Sequence, residues 1–323
     1  MIPVIKIVAD SQDITDRIRD RLLSLRLTDE AGTTSDTVEI QLDDRDSKIE
    51  WPTHGAELEV FLGFSHTEMV RMGLFTVDEI EQTGPPSTLT VRGKAADMRA
   101  SFKASKTRSW DNVTLGALVS QIANENGLTA KVAEVFTSTT ITHLDQTDES
   151  DLHLLTRLAR EFGAVAKPVA GYLVFAQKGE AKSVSGMELP TVDINVVSVQ
   201  QHRMTQAERG KYQSVRAYWH ETESADQKSV IIGSGEPVYS MRHSYPSNNE
   251  ATRAATAKLQ ALTRGVETLS LTVIGNAELQ AEGKLNLSNL RDAVNGEWLL
   301  KRVEHQFDAQ GFVTRIEAET PNS

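Results

Sequence analysis

Apolar and polar residues alternate along the first hundred positions. PVIKIVA, LLSLRLT, DTVEIQL, ELEVFLGF and GLFTVDEI each read as a strand with one face turned to a core. Val38, Ile40 and Leu42 share one face, and Leu58, Val60 and Leu62 share one in a later run. Turn residues separate the runs at Asp29-Glu30-Ala31-Gly32, at Trp51-Pro52-Thr53-His54-Gly55 and at Gly84-Pro85-Pro86. Several short strands at this spacing predict a barrel or a sandwich.

The period changes near residue 101. In WDNVTLGALVSQIANENGL, Leu115, Leu118, Val119, Ile122 and Ala123 form one helical face, with Asn112 or Thr114 as N-cap and Gly127 at the C′ position. The runs AKVAEV and TTITHL read as strands. DESDLHLLTRLAREFG repeats the helical period with Leu152, Leu155, Leu158, Ala159 and Phe162, capped by Asp148 or Ser150 and stopped by Gly163. A hairpin, AVAKPVAGYLVFAQKG, is expected to turn at Ala170-Gly171. Together these predict a small α/β module over residues 101–182.

From about residue 190 strands return in DINVVSVQQH, KYQSVRAYWHET, QKSVIIGSG and PVYSMRHS. One helix, EATRAATAKLQALTRG, interrupts them. Asn249 or Ser247 opens it, Gly265 ends it, and Ala251, Ala254, Ala255, Leu259 and Leu262 form its apolar side. ETLSLTVIG, GKLNLSN and a last hairpin close the chain. The predicted fold is mainly β with α+β character. It has a β-barrel domain over 1–100, the α/β module over 101–182, and a second, similar barrel over 183–323 with a helical insertion near 248–265.

The similarity of the two barrels rests on two hairpins, GLFTVDEIEQTGPPSTLTVRGKA and GEWLLKRVEHQFDAQGFVTRIEA. With Gly73 set on Gly296, Phe75 meets Trp298, Val77 meets Leu300, Ile80 meets Val303 and Glu81 meets Glu304. The match continues without a gap through the turn, to Leu89 with Phe312 and Arg92 with Arg315. A shorter echo precedes each, from Gly55 to Val60 and from Gly283 to Leu287. Alternation around a turn can produce such matches by itself. A duplicated domain is the sharper reading: three such chains would carry six similar blocks, enough to adapt three-fold to six-fold symmetry.

Composition narrows the function. The chain has 323 residues, 39% hydrophobic and 24% charged, which fits a folded multidomain protein. No apolar run approaches the roughly 20 residues of a membrane helix, and the N-terminus lacks the pattern of a signal peptide. Synthesis and folding in the cytoplasm are expected. A net charge of −11 argues against a groove built to grip nucleic acid. With no cysteine, disulfides and thiolate chemistry are excluded.

A search for catalytic residues assigns none, and no metal or cofactor. The histidines are His54, His66, His143, His153, His202, His220, His243 and His305. None stands in H-E-x-x-H; His220-Glu221-Thr222-Glu223 lacks the second histidine. His305 reads as a hydrogen-bonded structural residue, and His143 as one serving the turn before a helix. Gly233-Ser234-Gly235 reads as a hairpin turn rather than a nucleophile elbow. The pairs Asp43/Asp44 and Asp148/Asp151 read as caps and solvated loops rather than a glycosidase dyad. The stripes of the three helices read as core, with an alternative in which the alanine side of 249–264 faces a neighbouring subunit. Trp51, Trp110, Trp219 and Trp298 fit core or interface alike.

Motifs along the chain carry a resemblance. Asp13-Ile14-Thr15, Leu25 to Asp29, Ser35 to Ile40, Asp43 to Asp46 and Pro52 to Gly55 come first. His143 to Asp151, Leu155, Arg157-Leu158-Ala159 and Gly163 follow, then Gly296, Val303, His305, Gly311-Phe312 and Thr314. In this order and spacing the chain resembles phage late control D proteins, the baseplate hubs of contractile-tailed phages, related to the hub part of VgrG spikes. The resemblance implies a structural homotrimer in the virion tail, assembled in the host cytoplasm. It would join the six-fold tail tube protein to a three-fold spike, beside other baseplate components. VgrG-type chains continue into a spike and this sequence stops at Ser323, so a separate spike protein is expected. DNA would pass through the channel without specific binding, and no membrane insertion is implied. The alternatives are the hub of a tailocin or type VI-like injection machine, or a tail-associated peptidoglycan hydrolase or peptidase.

Overall fold

The computed structural model describes residues 1–32, 34–95, 100–169, 171–178, 191–207, 212–220, 226–264 and 267–321. Gly265, Ala170, Glu221 to Glu223, and the expected boundary between 182 and 183 lie outside the described residues. The first stretch holds β1 (Pro3–Ala9), β2 (Gln12–Asp13), α1 (Thr15–Ile18), β3 (Leu22–Glu30), β4 (Thr37–Asp43), β5 (Glu57–Phe64), β6 (Val70–Thr83) and β7 (Thr88–Ala95). Next come β8 (Ser105–Thr114), α2 (Leu115–Glu125), β9 (Thr129–Val132), α3 (Glu134–Thr137), β10 (Thr140–Ser150), α4 (Asp151–Phe162), β11 (Ala164–Val169) and β12 (Tyr172–Gln177). The remainder holds β13 (Thr191–Asn195), β14 (Val199–Gln206), β15 (Ser214–His220), β16 (Gln227–Gly233), β17 (Val238–Tyr245), α5 (Asn248–Arg264), β18 (Glu267–Ile274), β19 (Lys284–Ser288), β20 (Gly296–Asp308) and β21 (Gly311–Glu319).

The helices start where their caps allow. Thr114 accepts a hydrogen bond from the Ala117 N–H, and Ser150 from the His153 N–H, at 3.2 Å each. Ser247 does the same for Glu250 at the head of α5. Gly163 ends α4 in the left-handed conformation. Ser150→Ala should cost about 1 kcal/mol of stability. A urea titration of the full chain checks this, and an unchanged midpoint would contradict the cap.

α2 buries the face its period predicts, and α4 does so except that Leu154 is fully buried and Leu152 only partly. Leu115, Leu118, Ile122, Leu154 and Leu158 pack with Phe136, Phe162 and Phe175. The three phenylalanine rings meet edge to face at centroid distances of 5.4–6.4 Å. The run AKVAEV is cut short at Val132, and its last residues enter α3. His143 does not serve a turn: β10 runs on to Ser150, and His143 lies within it opposite Asp111 on β8. This two-stranded ribbon buries only Trp110, Gln146 and little else, so alternation hardly marks it.

β15, β16 and β17 form a small sheet of their own, and twelve of the other strands form two arrays with one plan. The first pairs in the order β1-β5-β6-β7-β4-β3 and the second in the order β13-β19-β20-β21-β18-β14. Numbered along the chain, the strands of each array occupy the same places, with β15–β17 and α5 inserted between the second and third strands of the second array. Their irregularities also coincide. Gly73 and Gly296, opposite Val60 and Leu287, both have positive φ, +146° and +112°. The pairing slips after Val77 in β6 and after Leu300 in β20, and after Leu22 in β3 and after Val199 in β14. One pairing differs in direction: β1 is antiparallel to β5, whereas β13 is parallel to β19.

The gapless hairpin match fails beyond the turn. Thr83 pairs Thr88 around a four-residue connection, while Asp308 pairs Gly311 around two residues. The second hairpin is therefore longer and its turn tighter. Val91 corresponds to Ile316, and Leu89 to Thr314, two residues from the gapless alignment. A shift of two leaves every side chain on its own face, so alternation conceals it.

The arrays are not separate sheets. β3 pairs antiparallel with β20, from Glu30 opposite Arg302 to Ser24 opposite Asp308, and one 13-stranded sheet results. Among the described residues no pairing between β1 and β3, or between β13 and β14, closes either array. Each keeps its own core. One holds Ile7, Leu25, Val60, Leu62 and Leu89, and the other holds Leu271, Val273, Leu285, Val303 and Ile316.

Candidate assembly surface

The face of the joined sheet opposite these cores carries a charged ladder. Arg92 on β7 bonds Glu39 on β4 at 2.8 Å, and Glu79 and Glu81 on β6 at 2.7 and 2.8 Å. Arg26 on β3 stands between Glu39, at 3.6 Å, and Glu304 on β20, at 3.8 Å. Arg315 on β21 meets Glu304 at 2.9 Å. Arg302 lies within 3.2–3.8 Å of Glu30, Glu304 and Glu317. The ladder thus crosses six strands, passing from one array to the other between Arg26 and Glu304. Its four arginines face six glutamates. The Glu39 hydrogen bond, followed by that of Glu81, raises the Arg92 pKa above the usual guanidinium value. Exposed pairs of this kind add little stability, at most about 1 kcal/mol each. They do leave few cations free to release counterions from a polyanion.

Lys167 on β11 ties the middle segment to both arrays. Its ammonium donates to Asp29 at 3.0 Å, to Asp36 at 2.7 Å and to the Glu30 carbonyl at 2.8 Å. Asp29 in turn accepts from the Ala281 N–H of the second array at 2.7 Å. Burial and then the Asp29 charge push Asp36 up to about 7. Burial lowers the Lys167 pKa, but the two carboxylates outweigh it and the net shift is upward. Burial also raises Glu282, whose Oε1 has no hydrogen-bond partner. These groups line a cleft of about 820 Å³ between β3, β11, β12 and residues 277–282.

Two of the open strand edges belong to places in the arrays that correspond to β3 and β20. Among the described residues β14 pairs only β18, and the Glu79–Thr83 half of β6 pairs only β7. Both stretches are largely exposed. Such edges are templates for another chain.

The residues weighed for catalysis do not converge. His305 is buried, with Nδ1 at 3.0 Å from Thr314 Oγ1 and Nε2 at 3.1 Å from the Leu279 carbonyl. Burial, the main cause, lowers its pKa to about 4. His143 is exposed between Asp111, at 2.6 Å, and Asp145, at 3.3 Å, and these bonds raise its pKa. Asp44 is buried and accepts from the Ile49 N–H. Asp151 is neither cap nor solvated loop. It is fully buried and held by Lys106 at 2.6 Å, Arg108 at 2.8 Å, Gln146 at 3.0 Å and Asn126 at 3.2 Å. Among the described residues no three histidines or carboxylates form a group able to hold a metal ion, and no helix is long and apolar enough to cross a membrane.

The alanine side of α5 is also taken. Ala251, Ala254 and Ala255 pack on Val215 and Ala217 of β15 in the same chain, so that face is not open to a neighbour. Trp110 and Trp298 are core residues, while Trp51 is exposed. Sequence reasoning matched Glu81 with Glu304 but missed the ladder. Its signal was charge of alternating sign at the polar positions of adjacent strands.

Comparison with known proteins fits this architecture. The sequence profile of the phage tail baseplate hub (GPD) family matches residues 61–311. The probable baseplate hub protein of Escherichia phage 186 is 34% identical, over 98% of this chain and 92% of its own length. The crystal structure of the 43 kDa tail protein of prophage MuSo2 from Shewanella oneidensis is similar with a TM-score of 0.75 at 14% identity, covering 98% of each chain. The E. coli c3393 protein, a component of the type VI secretion system, is similar with a TM-score of 0.60 at 10% identity, over 94% of this chain and 74% of its own.

Proposed function

The chain belongs to the phage tail baseplate hub (GPD) family, and on that premise we propose that three copies close into a ring of six sheet arrays at the tip of a contractile tail. The role is structural, that of a hub in the virion tail. The observation that carries the ring is the pair of arrays with one strand order, joined edge to edge through β3 and β20. A chain holding two equivalent blocks offers six to a tube and three whole chains to a spike. This is the geometry a symmetry adaptor needs. The domains we assign are 1–100 and 183–323 for the two arrays, each rolled toward a barrel in the ring, and 101–182 for the α/β module.

The charged ladder favours the channel as the place of the joined sheet's polar face. Its guanidinium groups are already engaged by carboxylates, so passing DNA would find few cations to hold it. Tube protein, a separate spike protein and other baseplate components would cover the ends of the ring. Transmission of force through a tail calls for large interfaces, above about 2,000 Å² per pair. The fold it shares with the type VI protein favours one second reading, a hub in a related injection machine.

Mass measurement by light scattering tests the ring. The expected particle has three times the 35.6 kDa of one chain. A stable dimer or a tetramer would overturn it.

A further inference from the structure

The internal junction of the chain specifies how one copy meets the next. We propose that β14 of one chain pairs antiparallel with the Glu79–Thr83 half of β6 in a second copy, repeating the β3·β20 junction with a defined register. This deepens the ring reading above and rests on it.

The argument uses the correspondence of the arrays. The slip after Leu22 and the slip after Val199 set β3 on β14, so that Leu25, Arg26, Leu27 and Thr28 correspond to His202, Arg203, Met204 and Thr205. The slips after Val77 and Leu300 set β6 on β20, so that Glu79, Ile80, Glu81, Gln82 and Thr83 correspond to Arg302, Val303, Glu304, His305 and Gln306. Inside the chain, β20 uses its first half for β19 and its second half for β3. β6 uses its first half for β5, and among the described residues nothing takes its second half. The open partner of that half-edge is the counterpart of β3, which is β14. Because six strands separate β14 from β6 in the joined sheet, the two edges of one chain do not meet. The contact is heterologous and closes only through further copies.

The internal register then transfers. His305 opposite Leu27 predicts Gln82 opposite Met204. Gln306 opposite Arg26 predicts Thr83 opposite Arg203, and Glu304 opposite Thr28 predicts Glu81 opposite Thr205. Chemistry agrees with the transfer. Arg26 sits between Glu39 and Glu304. Its counterpart Arg203 has Ser270 opposite it on β18 and has no carboxylate partner among the described residues. Glu81 of the next copy would supply one, and the charged ladder would run on from chain to chain. The counterparts are also more polar than the originals, with Gln82 for His305 and His202 for Leu25. Edges that must remain soluble until assembly require this.

The chain has no cysteine, so a cysteine pair reads the register directly. Full-length Q82C/M204C, oxidised mildly, should give a covalent trimer on a non-reducing gel, because directly opposed strand residues bring their Cβ atoms within about 5.5 Å. Q82C and M204C mixed as single variants should give only a dimer. Failure to cross-link while light scattering still shows three chains overturns this pairing and leaves the ring standing. A chain that is monomeric and does not cross-link overturns the pairing and removes support from the ring. Charge exchange provides an independent variant. R203E should weaken trimer formation at least tenfold, as like charges across an interface do, and R203E/E81R should recover it. Equal association of R203E and the unaltered chain would contradict the register.

Discussion

Val303→Asp is expected to abolish soluble, folded protein. Val303 is fully buried on β20, among Leu271, Leu300 and Ile316. It also stands opposite Asp29 at the junction of the two arrays. An ionised carboxylate there would lose its hydration with no partner, at a cost of several kcal/mol. Protonation would avoid the charge but leave a buried hydroxyl unsatisfied, at about 1–3 kcal/mol, and forfeit about 1.5–3 kcal/mol of apolar burial. Against a whole-domain stability of about 5–15 kcal/mol, either route removes most of the margin. The soluble fraction after expression, with circular dichroism, measures it. A soluble variant with an unaltered urea midpoint would show that the second array does not pack on this face.

Lys167→Met should cost about 3 kcal/mol, because it leaves Asp29 and Asp36 facing each other without their cation in a partly buried joint. The loss should depend on pH. Asp36 is pushed up to about 7 by burial and by Asp29, and Lys167 holds it down. An acid whose folded pKa is raised stabilises fully below its ordinary value of 3.8 and loses that contribution as pH rises through about 7. Without Lys167 the shift is larger, so protonation restores more stability to the variant than to the unaltered chain. The difference between their urea midpoints should be greatest at pH 8 and shrink toward pH 5. A difference that stays constant over that range would assign the loss to packing alone. Because the joint binds the α/β segment to both arrays, its loss should also loosen the cleft beside His305.

Much of the local structure was legible from residue pattern. PVIKIVA and ELEVFLGF became β1 and β5 with the bounds their alternation predicts. Thr114, Ser150 and Ser247 capped helices as their side chains allow. The likeness of the two hairpins pointed to a repeated plan, and the two arrays share one strand order while neither closes into a barrel among the described residues. Misreadings arose where pattern is silent. The β8·β10 ribbon fully buries only Trp110 and Gln146, so alternation marks it weakly. Asp151 resembled a solvated acid because the residues that hold it, Lys106, Arg108 and Asn126, are distant in sequence. No order of residues along the chain announced the Lys167 joint, and the alternating charges of the ladder named no partner strand.

Sequence by itself determined the faces of the strands, the ends of the helices and the presence of two similar hairpins, because these depend on neighbours within a few residues. Tertiary structure alone decided which edges meet. A period of two assigns every strand residue a side but not a partner, and it is blind to a two-residue slip. The pairing of β3 with β20, and with it one sheet rather than two, comes from hydrogen bonds between segments at opposite ends of the chain, where each edge accepts the strand whose cores and charges fit.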